Sequence, residues 1–153
     1  MIEIGHEAPD FTLLDQHGES VSLSQFRGSK NVLLLFYPYA FSSTCTGELC
    51  TIRDRVTAFD NDETVTLAVS IDHKYTLRAF ADQEGYTFPL LADFWPHGAV
   101  ATAYGVFVEA KGAAKRGTFI IDKAGIVRWS VIHEMGEARD ADDYEKALAA
   151  LPA

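Results

Sequence analysis

No stretch of this chain is apolar over the roughly 20 residues that a bilayer-spanning helix needs. The amino terminus, MIEIGHEAPDF, shows neither a charged leader nor the apolar region of an export signal, so the expectation is a cytoplasmic protein with no membrane partner. Positive charge is scarce as well. Thirteen Lys and Arg stand against twenty-two Asp and Glu, a formal net charge of −9 with no basic cluster. That balance argues against nucleic acid and anionic membranes and leaves small molecules or proteins as partners. Cysteine occurs twice, and in a reducing compartment such residues are more often reduced, buried or reactive than joined in a permanent disulfide. His6, His17, His73, His97 and His133 are scattered, with no i,i+4 pair and no Cys-x-x-Cys partner, so neither a metal nor another cofactor is expected. Repeats, low-complexity tracts and linkers are missing too, and residues 1–153 read as a single domain.

What is present is concentrated between Val32 and Phe59. Val32–Phe36 is a continuous apolar run, too short for a free-standing helix and without alternation, which predicts a central strand covered on both faces. Pro38 ends it. Ser42, Ser43 and Thr44 are helix-capping types, and Cys45, Leu49, Ile52, Val56 and Phe59 follow at spacings of four, three, four and three, which predicts one helical face. Cys45 then falls in the first turn, where unpaired N–H groups and the positive end of the dipole stabilise an anion such as a thiolate.

The remaining chain reads as a frame for that unit. Asp10–Leu14 and Ser20–Leu23 flank the turn-forming Asp15-Gln16-His17-Gly18 and predict an N-terminal hairpin, followed by a helical turn at Ser24–Arg27. Val65–Ile71 is a second apolar strand, Tyr75–Glu84 a helix stopped by Gly85, and PLLAD at 89–93 a short strand whose leading proline suits an edge or a first position. A short helix over Ala99–Tyr104, a polar loop over 109–116 and a hairpin of Thr118–Ile121 with Ile126–Ile132 come next. Asp140 caps a final helix carrying Tyr144, Leu148 and Leu151. The order implies an α/β fold, a central mixed sheet flanked by helices with an N-terminal β-hairpin, with the cysteine helix opening at the carboxyl end of the central strand.

Pro38-x-x-x-Ser42-x-x-Cys45 resembles the active-site motif of the peroxiredoxins, Pro-x-x-x-Thr/Ser-x-x-Cys. APDFTL at 8–13, Glu48, and RGTFIID at 116–122 are similar to further segments of that family, and with FWPHGAV and AYGVF the chain looks most like its AhpE-like, actinobacterial branch. The resemblance implies a thioredoxin-like fold and a thiol peroxidase for hydrogen peroxide, organic hydroperoxides and peroxynitrite. It implies Cys45 as the peroxidatic cysteine, Ser42 as a hydroxyl for the peroxide, Pro38 as a shield and Arg116 as the cationic partner, with Glu48 placed to orient Arg116 in the substrate-binding set. It implies a thiol reductant such as thioredoxin, mycoredoxin or a low-molecular-weight thiol, and a homodimer. Physical chemistry agrees with these roles: a free thiol, with pKa about 8.5, is mostly protonated at neutral pH, and a permanently charged guanidinium favours the thiolate and donates to oxygens gaining charge.

Cys50 departs from the one-cysteine pattern of that branch. It lies about 140° round the helix from Cys45, off the apolar stripe. Its spacing resembles the bacterioferritin-comigratory type, in which the two cysteines form an intramolecular disulfide. Here five residues rise ~7.5 Å along an intact helix, whereas bridged Cα atoms are usually about 4.4–6.8 Å apart, so the first turn would have to unwind. An incidental half-exposed thiol is the competing reading. Two other functions stand beside the peroxidase: a thiol–disulfide oxidoreductase, which normally carries Cys-x-x-Cys, and a non-enzymatic redox sensor.

Overall fold

Asn31–Phe36 is buried at every position and forms the strand β3 around which the rest is laid. The computed structural model describes residues 2–151. In chain order the elements are β1 (Thr12–Leu14), β2 (Ser20–Ser22), a 3₁₀ turn (Leu23–Phe26), β3, α1 (Ser43–Asp54), α2 (Val56–Phe59), β4 (Thr64–Ser70), α3 (Lys74–Glu84), β5 (Leu90–Ala92), α4 (Ala99–Ala103), β6 (Phe107–Val108), β7 (Ala113–Ala114), β8 (Arg116–Ile121), β9 (Val127–His133) and α5 (Ala141–Ala149). The seven-stranded sheet runs β2-β1-β5-β4-β3-β8-β9. Its β3–β4 and β4–β5 pairs are parallel, and the pairs β3–β8, β8–β9, β1–β2 and β1–β5 are antiparallel. The expected mixed sheet and N-terminal hairpin are both present.

Alternation along β3 divides the core in two. Leu33 and Leu35 face Leu49 and Ile52 of α1, Leu77 and Phe80 of α3 and Tyr144 of α5. Val32, Leu34 and Phe36 face Ala101 of α4, Tyr104, and Leu23 of the 3₁₀ turn. Helices therefore cover both faces, and each such buried Leu or Phe contributes about 1.5–3 kcal/mol. Gly85 ends α3 with φ of 72°, a left-handed cap that glycine takes without strain.

Three expectations need correction. The cysteine helix does not run unbroken to Phe59: Arg55, at φ −118° and ψ 31°, separates α1 from α2. Its guanidinium is turned to Asp142 and Glu145 of α5, and the apolar spacing survives because the chain re-enters helix one residue later. β5 is interior, between β1 and β4, and Pro89 sits just before it with its carbonyl accepting from Ala68 N. The polar segment 109–116 holds the turn and second strand of a two-stranded hairpin, β7 pairing with β6 just before it, and its last residue, Arg116, already opens β8.

Candidate active site

The parallel β3–β4 pairing fixes where α1 begins. Tyr37 N still bonds Val69 O, extending the ladder one residue past β3. The chain then turns through the buried Pro38 and enters α1 at Ser42, its N-cap. Ser42 Oγ accepts from Cys45 N at 3.4 Å, which leaves the hydroxyl proton free to donate elsewhere. Cys45 is fully buried in the first turn of α1, with its side chain in the cluster that holds Tyr37 and Leu49. Burial pushes the Tyr37 phenol well above its ordinary range, so it stays neutral near the sulfur.

One turn on, Glu48 gathers two arginines from distant parts of the chain. Arg116 Nη1 donates to Glu48 Oε1 at 2.6 Å, and Arg116 Nε donates to Met135 O at 2.8 Å. Arg139, in the loop between β9 and α5, donates to Glu48 through Nε, Nη2 and its backbone N at 2.9, 3.0 and 2.6 Å. Its Nη1 also reaches Gly117 O and Thr118 Oγ1, and Thr118 in turn donates to the Tyr144 hydroxyl. Both arginine side chains are 2 % exposed and Glu48 is 9 % exposed.

Two consequences follow from this arrangement. First, Glu48 accepts four hydrogen bonds, which fills the roughly four lone-pair sites of a carboxylate. Burial opposes its ionisation, but the hydrogen bonds and charge of Arg139, with the charge of Arg116 added, outweigh that and hold the carboxyl below its usual value. Second, two guanidiniums and one carboxylate leave a net single positive charge at Glu48, one turn beyond Cys45 on α1. Arg116 makes two hydrogen bonds among the described residues, so three of its five N–H donors remain for a ligand.

Pro38, Ser42, Cys45 and Glu48 thus follow one another through the turn into α1 and its first two turns, and Arg116 is brought to that helix by its bond to Glu48. Cys50 does not join them. It is a half-buried free thiol facing the end of α3, with Tyr86 Oη at 3.4 Å and Glu84 Oε1 at 3.8 Å. The Tyr86 hydroxyl also donates to Thr46 O at 3.2 Å and so ties the first turns of α1 to that flank. Arg139 was not anticipated, because an arginine two residues before a helix in a polar loop reads as a solvated charge. Among the described residues no group of His, Cys, Asp or Glu is placed to share a metal ion.

A buried cysteine at the start of the helix that follows the central parallel strand, with an arginine pair held by a glutamate one turn further along, describes the thiol peroxidases known as peroxiredoxins. The AhpC/TSA family pattern matches residues 4–130, and the chain belongs to that family. It is 51 % identical over 153 residues, all of both chains, to alkyl hydroperoxide reductase E of Mycobacterium tuberculosis, which places it in the AhpE-like branch. Its thioredoxin-like fold superimposes on peroxidoxin BcpB from the same organism with a TM-score of 0.88 at 30 % identity, covering 100 % of each chain. It superimposes equally on AhpC of Enterococcus faecalis, with a TM-score of 0.88 at 30 % identity over 98 % of this chain and 92 % of that one. The protein is a thiol-dependent peroxidase.

Proposed function

We propose that Cys45 is the peroxidatic residue of a single thioredoxin-like domain spanning 1–153, acting on hydrogen peroxide, organic hydroperoxides and peroxynitrite. Its thiolate attacks one oxygen of the peroxide and the O–O bond breaks; Cys45 becomes sulfenic acid, and the leaving oxygen departs as water or alcohol once protonated, or as nitrite from peroxynitrite. Arg116 supplies fixed positive charge and N–H donors to the oxygens that gain charge as the bond stretches. Ser42 donates its hydroxyl to the peroxide, and Pro38, with no N–H to offer, keeps water off one side. Glu48 works through the guanidiniums it holds, since its own acceptor sites are occupied by them. The observation that carries this reading is the buried Arg116–Glu48–Arg139 group one turn along the helix whose first turn holds Cys45.

Turnover needs a thiol reductant, and thioredoxin, mycoredoxin and a low-molecular-weight thiol each fit the chemistry. We assign Cys50 the resolving role: it condenses with the sulfenic acid after α1 unwinds, releasing water and leaving a disulfide for the reductant. Exposed aromatics favour a homodimer, with Trp95 82 % and Tyr75 74 % exposed and Phe94 beside them. No helix among the described residues is long and apolar enough to cross a membrane, and a cytoplasmic location suits two free thiols.

Stopped-flow tryptophan fluorescence of reduced protein mixed with peroxide tests the first half-reaction. Oxidation should be far faster than that of free cysteine, vanish in Cys45→Ser and persist in Cys50→Ser. Mass spectrometry of the oxidised wild type should find a Cys45–Cys50 disulfide. A stable Cys45 sulfenic acid beside free Cys50 would remove the resolving role while leaving the peroxidase intact. Slow oxidation with brisk reduction of insulin disulfides would replace the peroxidase by an oxidoreductase, and fast oxidation with no reductant able to restore the thiol would favour a sensor.

A further inference from the structure

The segment between β3 and α1 holds a backbone conformation that its sequence does not favour. Phe41 has φ of 70° and is the one non-glycine residue among those described with positive φ. A bulky L residue occupies the left-handed region only where its surroundings dictate it, and such residues collect at functional sites. Phe41 directly precedes Ser42, whose hydroxyl caps the turn bearing Cys45. Two contacts hold it. Its ring packs on Phe80 of α3 with centroids 4.9 Å apart. On its other side, the backbone N–H of Ala40 donates to Asp72 Oδ2 at 2.8 Å.

Asp72 lies two residues past the end of β4, the strand paired parallel to β3, so it starts from the same sheet edge as the active-site loop. The same Oδ2 also accepts from Ser70 Oγ at 2.7 Å, and Ser70 N-terminal to it is almost fully buried in β4. Ser70 Oγ accepts in turn from Asp72 N at 3.3 Å, which closes a small ring that fixes the carboxylate in the sheet's frame. The carboxylate is thus a staple between the carboxyl ends of two neighbouring parallel strands, made on the side where α1 begins.

We propose that Asp72 is a positioning residue of the peroxidatic site: by holding Ala40 N–H it keeps Phe41 left-handed, and so keeps Ser42 at the cap of Cys45. The proposal rests on the peroxidatic reading of Cys45. Asp72 touches neither sulfur nor peroxide in this role. What it needs to offer is an acceptor oxygen, and the strain it holds in place belongs to Phe41.

The test uses the full chain with Asp72→Ala, Asp72→Asn and Phe41→Gly, singly and with Asp72→Ala and Phe41→Gly combined, each checked for native circular dichroism. Asp72→Ala should slow peroxide oxidation of Cys45 by about tenfold or more, since a displacement of ~1 Å in a reacting constellation costs up to 10²-fold. Asp72→Asn keeps an oxygen for both donors and should stay within about threefold of wild type. Glycine takes positive φ without strain. In the Phe41→Gly background, Asp72→Ala should therefore cost no more than about threefold, a coupling that a general loss of stability does not produce. The pH profile of Cys45 alkylation by iodoacetamide should shift upward in Asp72→Ala alone, as the cap is lost.

Wild-type rates in Asp72→Ala, or an Asn variant as slow as the Ala one, would overturn the proposal, as would an undiminished tenfold loss in the glycine background. If Asp72→Ala does not fold, Asp72→Leu, which likewise lacks an acceptor oxygen, takes its place alone and with Phe41→Gly, and decides by the same threefold and tenfold outcomes. If the wild type shows no Cys45-dependent oxidation, the peroxidatic reading fails by itself, and the alkylation profile still tests the staple.

Discussion

The two flanks of α1 hold one cysteine each and treat them oppositely. On one flank Cys45 is sealed in the first turn, capped by a serine and followed one turn on by a charge group whose sum is positive. On the other, Cys50 is half exposed and meets acceptors: the Glu84 carboxylate and the oxygen of Tyr86. Arg53 stands on that flank too, with Nη1 donating to Glu84 O and Nε to Asp54, and its charge is balanced by the Asp54 carboxylate beside it. A helix alone therefore does not make a thiol reactive. The difference arises from what other strands and loops bring to each side, β8 and the loop before α5 on the first, the end of α3 on the second.

The harshest way to break the Cys45 flank is to leave its cations unpaired. Glu48→Ala buries two guanidiniums without a counter-charge, and it should lower the unfolding free energy by about 3–5 kcal/mol, read from the urea midpoint. Arg116→Ala acts on rate instead. Loss of one donor aimed at developing oxygen charge costs on the order of 10²–10³-fold, so peroxide oxidation of Cys45 should slow by about that factor while Cys50 alkylation is unaffected. Arg116→Lys should recover only a small part, because a point ammonium cannot bond Glu48 and Met135 O and still face a peroxide.

The first flank was largely readable in the sequence and the second was not, and the reason is physical. Pro38, Ser42, Cys45 and Glu48 sit within eleven residues of one another, so strand end, cap and helical spacing place them together without tertiary information. Arg116 could be placed only through a resemblance, since nothing local distinguishes a buried arginine at a strand mouth from a solvated one. Arg139 had no local signal at all: its burial depends on Glu48, which is 91 residues away. The Asp72 contact to Ala40 spans 32 residues and is hidden for the same reason. The helical spacing puts Cys50 off the apolar stripe, yet it packs half-buried against the cluster that holds Leu49 and Ile52, because Tyr86 and Glu84 come to it from another helix's end and no periodicity points to them. The break at Arg55 escaped notice because one non-helical residue leaves the apolar spacing intact.

Acid should expose the Glu48 linkage directly. Its carboxyl titrates below its unfolded value of about 4.3. A group depressed on folding contributes stability that is complete above the unfolded pKa and is lost as pH falls through the folded one. Urea midpoints of the wild type should thus decline more steeply from about pH 4 downward than those of Glu48→Gln, which has no carboxyl to protonate. Parallel acid limbs would mean that the arginine pair is held by its carbonyl partners and not by the carboxylate.

The mildest change sharpens the contrast from the Cys50 side. Tyr86 is buried among Phe80 and Phe88, so Tyr86→Phe keeps the packing and removes only the hydroxyl, which bonds Thr46 O and adjoins Cys50 Sγ. A single hydrogen bond of this kind contributes about 1 kcal/mol, and stability should fall by no more than that. The kinetic effect carries more information, because the lost bond ties Thr46, adjacent to Cys45, to the flank that the chain must leave if α1 unwinds. Peroxide oxidation of Cys45 should be unchanged in Tyr86→Phe, while disulfide formation with Cys50, followed by quenched mass spectrometry, should quicken by a few-fold, since ~1 kcal/mol is worth about fivefold in an opening equilibrium. Equal rates in the two proteins would mean that the Tyr86 hydroxyl does not restrain the opening of α1, and the contrast between the flanks would then rest on the arginine side alone.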